Sequence, residues 1–286
     1  MSIVSFNFST SGNKEWMASY NHPLQIMPQT TKIPTDNIIE NYPDCSKTKI
    51  RDSVIHTSYI TRPFNDLYSN GKLRTFRYNI KQYTKLCKRL NYKRLLIHLP
   101  QTDNEMNYLG IGMNELINLF SDEDNVKLSN KEYITLVLEI PAFKAGFNCD
   151  VIKYFEIIIS NYFDKFKYNN VELCFDTAHI FANGIDCNDM VKLFETKIKD
   201  KKLIDYCKII HFNGNKNVMG KSDIHVQMFS PDNKLTDTDK LVSYLKDKNK
   251  ILISENTTSH SEYDEWVKYA KTNNLNIVPN DDHISA

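Results

Sequence analysis

Histidines and carboxylates recur in this chain at one kind of position, the polar residue that ends a short apolar run. Val54-Ile55 leads into His56, Leu95-Leu96-Ile97 into His98, residues 135–138 into Glu139, residues 173–175 into Asp176, Ile209-Ile210 into His211, and residues 252–254 into Glu255. Two local motifs add further donors. Asp176-Thr177-Ala178-His179 sets an imidazole one helical turn beyond a carboxylate, so that the two can address neighbouring ions. Asp223-Ile224-His225, twelve residues after His211, directs two donors to one side of an extended chain. Imidazole and carboxylate oxygen are the donor set of zinc and also suit manganese or iron. The chemistry to expect is therefore metal-assisted.

Singly, each of these residues has an ordinary explanation. A histidine at a strand end is commonly a hydrogen-bonded structural residue, and an acidic residue there often caps the following helix. Jointly they do not. Carboxylates crowded together away from water repel one another and take up protons unless cations neutralise them. His22, His260 and His283 stand apart from the pattern and are expected on the surface.

Convergence of these side chains requires a fold that gathers strand ends. Eight short β-rich runs occupy residues 3–8, 23–27, 54–56, 95–98, 134–140, 171–175, 208–212 and 251–254. Between them lie amphipathic stretches. The clearest is marked by Leu73, Phe76, Ile80, Tyr83, Cys87 and Leu90, with others over 150–163, 190–199, 240–248 and 262–271. Thr236 with Asp239 predicts a capped start for the helix over 240–248. Only residues 13–22 separate the first two strands, so the first helix must be very short. Alternating strands and helices imply parallel pairing, and eight such units make an α/β (β/α)8 TIM barrel whose C-terminal strand ends meet at one mouth. An open doubly wound sheet is the structural alternative, but no glycine-rich dinucleotide or phosphate loop supports it.

The 286 residues, 41% of them hydrophobic, fill one large core, so a single domain spanning 1–286 is expected. The net charge of +1 shows no basic tail, yet cations held in a cleft can supply the positive charge that phosphates require. Six scattered cysteines without a CxxC pair read as reduced thiols. No apolar stretch has the length of a membrane span, and the N-terminus lacks a secretory pattern. A soluble intracellular monomer of cytoplasm or nucleus is expected, and packaging in a virion is compatible with the same features.

Residues 173–184, LCFDTAHIFANG, resemble the most diagnostic signature of the endonuclease IV family of AP endonucleases, including versions carried by large DNA viruses. His211-Phe212-Asn213 followed by Asp223-Ile224-His225 resembles a second signature, and His56-Thr57-Ser58-Tyr59 a third segment. The likeness runs from about Ile3 to Trp266. It implies a xylose-isomerase-like barrel with three Zn2+ ions, replaceable by Mn2+ or Fe2+. It assigns the first ion to His56, His98 and Glu139, and makes Glu139 bridge to a second held with Asp176, His211 and Glu255. The third falls to His179, Asp223 and His225.

The implied partner is double-stranded DNA containing abasic sites. The phosphodiester 5′ to the lesion is hydrolysed in base excision repair to a 3′-hydroxyl and a 5′-deoxyribose phosphate, with clearing of blocked 3′ ends as a companion activity. Glu139 and Glu255 are the implied catalytic carboxylates, Glu255 positioning or deprotonating the water. The chain departs from the family after His225, where a Gly-Glu-Gly segment is replaced by residues 226–230, and in 29–32, which lack an arginine. Two other readings remain: a metal-dependent sugar isomerase or epimerase, which needs only the set Glu139, Asp176, His211 and Glu255, and a non-catalytic DNA-damage binder, which would have lost a ligand.

An abasic site lacks a stacked base, so an aromatic face beside the cluster can fill the gap. Tyr59 is expected to do this, with Gln29 and Lys32 assisting. Tyr59→Ala is expected to weaken binding to an abasic duplex about tenfold, the scale of one base stack, while metal content and affinity for intact duplex hold. Unchanged binding to both duplexes would refute the wedge.

Overall fold

Short strands buried on both faces read as nearly continuous apolar runs, and amphipathic helices between them cover the sheet. This pattern runs through the described chain. The structure, a computed structural model, describes residues 3–9, 25–28, 33–58, 64, 73–128, 132–147, 149–255 and 260–277. All the expected strands are present: β1 (Ile3–Ser9), β2 (Gln25–Met27), β3 (Arg51–His56), β4 (Tyr92–His98), β5 (Thr135–Glu139), β6 (Val171–Asp176), β7 (Cys207–His211) and β8 (Ile251–Ser254). The longer helices are α1 (Leu73–Leu90), α2 (Leu109–Ser121), α3 (Val151–Tyr162), α4 (Thr177–Ala182), α5 (Cys187–Glu195), α6 (Thr238–Lys246) and α7 (His260–Thr272). Gln29, Lys32, Tyr59, His22, His283 and the segment 13–22 lie outside the described residues. No helix among the described residues is long and apolar enough to cross a membrane.

The chain forms two compact units, one of residues 9–138 and 158–172, the other of residues 1–8, 139–157 and 173–286. In the first, β2, β3, β4 and β5 are neighbours in that order. β2 pairs with β3 and β3 with β4 in parallel, with Ile26 opposite Ile55 and Ile55 opposite Leu95. The predicted stripe of α1 packs inward: Phe76, Ile80, Tyr83, Cys87 and Leu90 are buried. Arg94 is buried as well, its Nε 2.8 Å from Glu172 and its Nη1 paired with Asp52.

In the second unit the strand order is β1, β8, β7, β6. All three pairings are parallel, with Leu252 opposite both Val4 and Ile210, and Asp176 opposite His211. Phe175, one residue before the Asp176 strand end, carries the core against the helices, with ring centroids 5.1 Å from Phe155 and 4.9 Å from Phe194.

After α1, the bounds of the predicted helices lie one to four residues from the sequence reading, and at two of them the cause is visible. α5 stops at Glu195 instead of 199, because Lys197–Ile198 pairs antiparallel with Lys201–Lys202 around Lys199, which is left-handed at φ 55°. α6 begins at Thr238 without the predicted cap. Asp237 there has φ 57° and makes no cap hydrogen bond, its carboxylate accepting instead from Asn188. A tertiary partner has overridden a local signal.

Truncating Phe175 should leave a cavity directly beneath the strand end that carries Asp176. Phe175→Ala is expected to lower the free energy of urea unfolding by about 3–5 kcal/mol. A loss under about 1 kcal/mol would show that this packing is not what anchors β6.

Candidate metal centre

Register alone brings several donors together. Asp176 and His211 face each other across β6 and β7, and His211 pairs with Ile253 of β8, two residues before Glu255. Glu139 ends β5, and the chain beyond β7 returns through a small hairpin, Gly214–Asn215 against His225–Val226, that carries Asp223 and His225. Glu139, Asp176, His211 and Glu255 thus gather at one point, with their donor atoms within 4.8 Å of one another. Asp176, His179 and His225 form an adjoining group on the same criterion.

The separations fit ligands better than ion pairs. His211 Nδ1 is surrounded by Glu139 Oε1 at 2.9 Å, Glu255 Oε2 at 3.4 Å and Asp176 Oδ2 at 3.6 Å. His179 Nε2 lies 3.4 Å from Asp223 Oδ2, and His225 Nε2 lies 3.1 Å from Asp223 Oδ1. Two donors bound at 2.0–2.1 Å to one tetrahedral zinc stand about 3.3 Å apart. His225 Nε2 and Asp223 Oδ1 make no hydrogen bond despite their closeness. Lone pairs aimed at a common point produce that arrangement. Asp176 Oδ2 is also 3.6 Å from His225 Nε2, so this carboxylate addresses both groups.

Backbone and side-chain partners fix the donors. His179 Nδ1 is 2.8 Å from the Ile140 carbonyl, which as its hydrogen-bond acceptor leaves Nε2 to face Asp223. A backbone carbonyl on the far nitrogen is the usual support of a metal-binding imidazole. Asp176 Oδ1 caps α4, accepting from the Ala178 and His179 backbone N–H groups at 2.7 and 3.1 Å. Burial works against the charged form of His179, but Asp176, Asp223 and Glu139 outweigh it and push the imidazole up to about 10. Against the same burial, Asp176 and Asp223 bring His225 up to about 9. Burial would raise Asp176, yet His179 and His225 hold it below the ordinary carboxylate range. The site is built to stabilise positive charge, and protons and metal compete for it.

Asn213 was missed as a functional residue by sequence reasoning. Its Nδ2 donates to Asp176 Oδ2 at 2.8 Å and to Glu255 Oε2 at 3.2 Å, while its Oδ1 accepts from the Glu255 backbone N–H at 3.1 Å. The available signal was its spacing: two residues after His211 in extended chain, it shares that residue's side. Gln227 is a second such residue. Its Oε1 accepts from Ser254 Oγ at 3.0 Å and from Trp266 Nε1 at 2.5 Å, tying the segment after His225 to the end of β8. Cys174, read only as a scattered thiol, lies buried against His211, and burial pushes it far above its ordinary range. None of the six cysteines is joined in a disulfide in the structure.

His56 and His98 belong to the other unit. His56 pairs with Leu96, so His98, two residues on, shares its side, and the two rings meet edge to face at 5.0 Å. His56 Nδ1 contacts the Thr57 carbonyl at 2.6 Å.

The family described as a xylose isomerase-like TIM barrel matches residues 44–273. The chain is 25% identical over 214 residues to the probable endonuclease 4 of Mycoplasma pneumoniae, a match spanning 72% of this chain and 67% of that one. Among solved structures, endonuclease IV from Thermus thermophilus superposes with a TM-score of 0.67 at 14% identity, over 94% of this chain and 98% of that one. A D-tagatose 3-epimerase-like protein gives 0.63 at 15% identity over the same shares. At such identities the structural likenesses show the fold alone, the α/β TIM barrel expected from the strand count.

The Asn213 amide is expected to matter for metal retention without being a ligand. Asn213→Ala should weaken zinc affinity by roughly 10–100-fold, measured by competition with a chromophoric chelator, with the far-ultraviolet circular dichroism unchanged. Parental affinity in this variant would show that the clamp is dispensable.

Proposed function

The chain belongs to the xylose isomerase-like TIM barrel family, and within it we propose that it is a zinc-dependent AP endonuclease of the endonuclease IV kind. It would hydrolyse the phosphodiester 5′ to an abasic site in double-stranded DNA, leaving a 3′-hydroxyl and a 5′-deoxyribose phosphate, and also clear blocked 3′ ends. The observation that carries this reading is the gathering of Glu139, Asp176, His179, His211, Asp223, His225 and Glu255 at ligand-to-ligand distances. The likeness to an endonuclease 4 over most of the chain supports it.

In this reading His56, His98 and Glu139 hold a first zinc. Glu139 would also serve a second, together with Asp176, His211 and Glu255, and His179, Asp223 and His225 would hold a third. Mn2+ or Fe2+ can substitute. Bound there, the ions supply Lewis-acid stabilisation to phosphate charge and favour ionisation of water. Four carboxylates against three Zn2+ leave a net charge of about +2 to attract the backbone. Glu255 positions or deprotonates the attacking water, with its orientation fixed at two points by Asn213. Tyr59, Gln29 and Lys32 contact the DNA.

A second reading is a sugar isomerase or epimerase on the same xylose isomerase-like barrel. Only Glu139, Asp176, His211 and Glu255 serve it. His179, Asp223 and His225 then have no use, which is why the nuclease is preferred.

Incubation with a duplex bearing one abasic analogue is expected to give a single incision on its 5′ side, abolished by chelator and restored by zinc. No incision, or epimerisation of a ketose by protein saturated with one or two ions, would overturn the reading. Glu139→Ala should lose metal from two positions at once and His179→Ala chiefly one, as counted by elemental analysis. Full metal in both variants contradicts the assignment.

A further inference from the structure

Hairpin residues between the two short strands carry an unusual surface. Among the described residues the exposed large apolar side chains are Tyr78, Ile111, Val218, Met219 and Ile224, and three of these five belong to this one hairpin. Val218 and Met219 sit at its tip, 58% and 49% exposed. Exposed apolar side chains grouped in this way mark a surface that meets a partner.

Disorder does not explain it, because the hairpin is tightly fixed. Lys216 N–H donates to the Ile224 carbonyl at 2.8 Å, extending the ladder past Asn215. Asn215 Oδ1 accepts from the Asn217 N–H at 2.8 Å, and the Lys221 N–H donates to the Val218 carbonyl at 3.2 Å, closing the tip turn. Gly220 adopts φ 74° in that turn, and its N–H donates to the Phe181 carbonyl at 3.1 Å, fastening the tip to α4. Gly214 is required at the base, since a Cβ there would come within 2.6 Å of Asn233. The apolar tip is thus presented on a rigid support.

Its position says what meets it. Asp223 and His225 lie on the same hairpin and face the metal centre. At most about 14 Å of extended chain separates Met219 from Asp223, so a polymer anchored by a phosphate at the cluster comes within reach of the tip. The tip is flanked by exposed Lys216 and Lys221. Lys216 is 3.7 Å from Asp232, with both side chains more than half exposed, a pairing weak enough to yield to a phosphate. A fully stacked duplex keeps its base faces covered, whereas a missing base uncovers two.

We propose that Val218 and Met219 form an aliphatic contact for the base faces uncovered at an abasic site, with Lys216 and Lys221 on the flanking phosphates. This rests on the nuclease reading above. The paired substitution Val218→Ser with Met219→Ser changes only exposed side chains and no metal ligand. Binding is measured on a duplex bearing one abasic analogue with a non-hydrolysable phosphonate 5′ to it, and on the intact duplex. The variant should lose about tenfold on the abasic duplex, one stacking contact, with intact-duplex affinity and metal content unchanged. Lys221→Ala should weaken both duplexes alike and flatten the salt dependence. Should the double variant misfold, Met219→Gln alone is expected to show part of the same selective loss. The proposal is overturned if the Val218 and Met219 variants keep the parent's preference, or if they lose equally on both duplexes, as a general or protein-directed surface would. If the parent itself shows no preference for the abasic duplex, the nuclease reading fails, and the proposal with it.

Discussion

Glu139 and Asp176 are fully buried and Glu255 nearly so, and their oxygens crowd one nitrogen of His211 within 3.6 Å. Negative charge so concentrated and so far from water is strongly unfavourable unless positive charge is held among it. Much of the surrounding structure answers this constraint. Histidines from three different segments face the carboxylates, the Asn213 amide spans two of them, and a helix N-terminus takes one oxygen of Asp176. The donors are spaced for cations, and the neutralising histidines are themselves candidate ligands.

The fold meets the constraint through strand ends. Parallel register sets Asp176 beside His211 and leaves Glu255 two residues past the next pairing, so no long loop has to find these positions. Loops then contribute through backbone atoms, as the Ile140 carbonyl does for His179. His179 and Glu255 are each held by a different element from the one that carries them. Folding and site geometry are thereby one problem, and a packing defect under β6 reaches the metal centre directly. The Gln227, Ser254 and Trp266 network does the same for the segment after His225, where this chain lacks the glycine-rich sequence of the family it resembles.

Most of this was legible in the sequence, for a physical reason. Strands buried on both faces must be apolar throughout, so a polar residue at the end of each run is conspicuous, and His56, His98, Glu139, Asp176, His211 and Glu255 announced themselves that way. α1 was legible from its single buried stripe. Asn213 and Gln227 were not, because a side-chain amide has many ordinary roles and these two act on partners 27 to 42 residues away. The start of α6 misled, since the bond between Asp237 and Asn188 is tertiary. The rigid apolar hairpin tip was equally hidden: Val218 and Met219 look like any two apolar residues until their exposure is known.

Where cations bind distinguishes a metal centre from a network of shared protons most directly. Diffraction from zinc-loaded crystals, recorded on both sides of the zinc absorption edge, locates zinc without reference to activity. The account predicts separate anomalous peaks, one enclosed by Glu139, Asp176, His211 and Glu255, another between His179, Asp223 and His225, and a third at His56 and His98. Fully loaded crystals with no anomalous density at the first two positions would contradict it, and the cluster would then be a proton-sharing network of histidines and carboxylates.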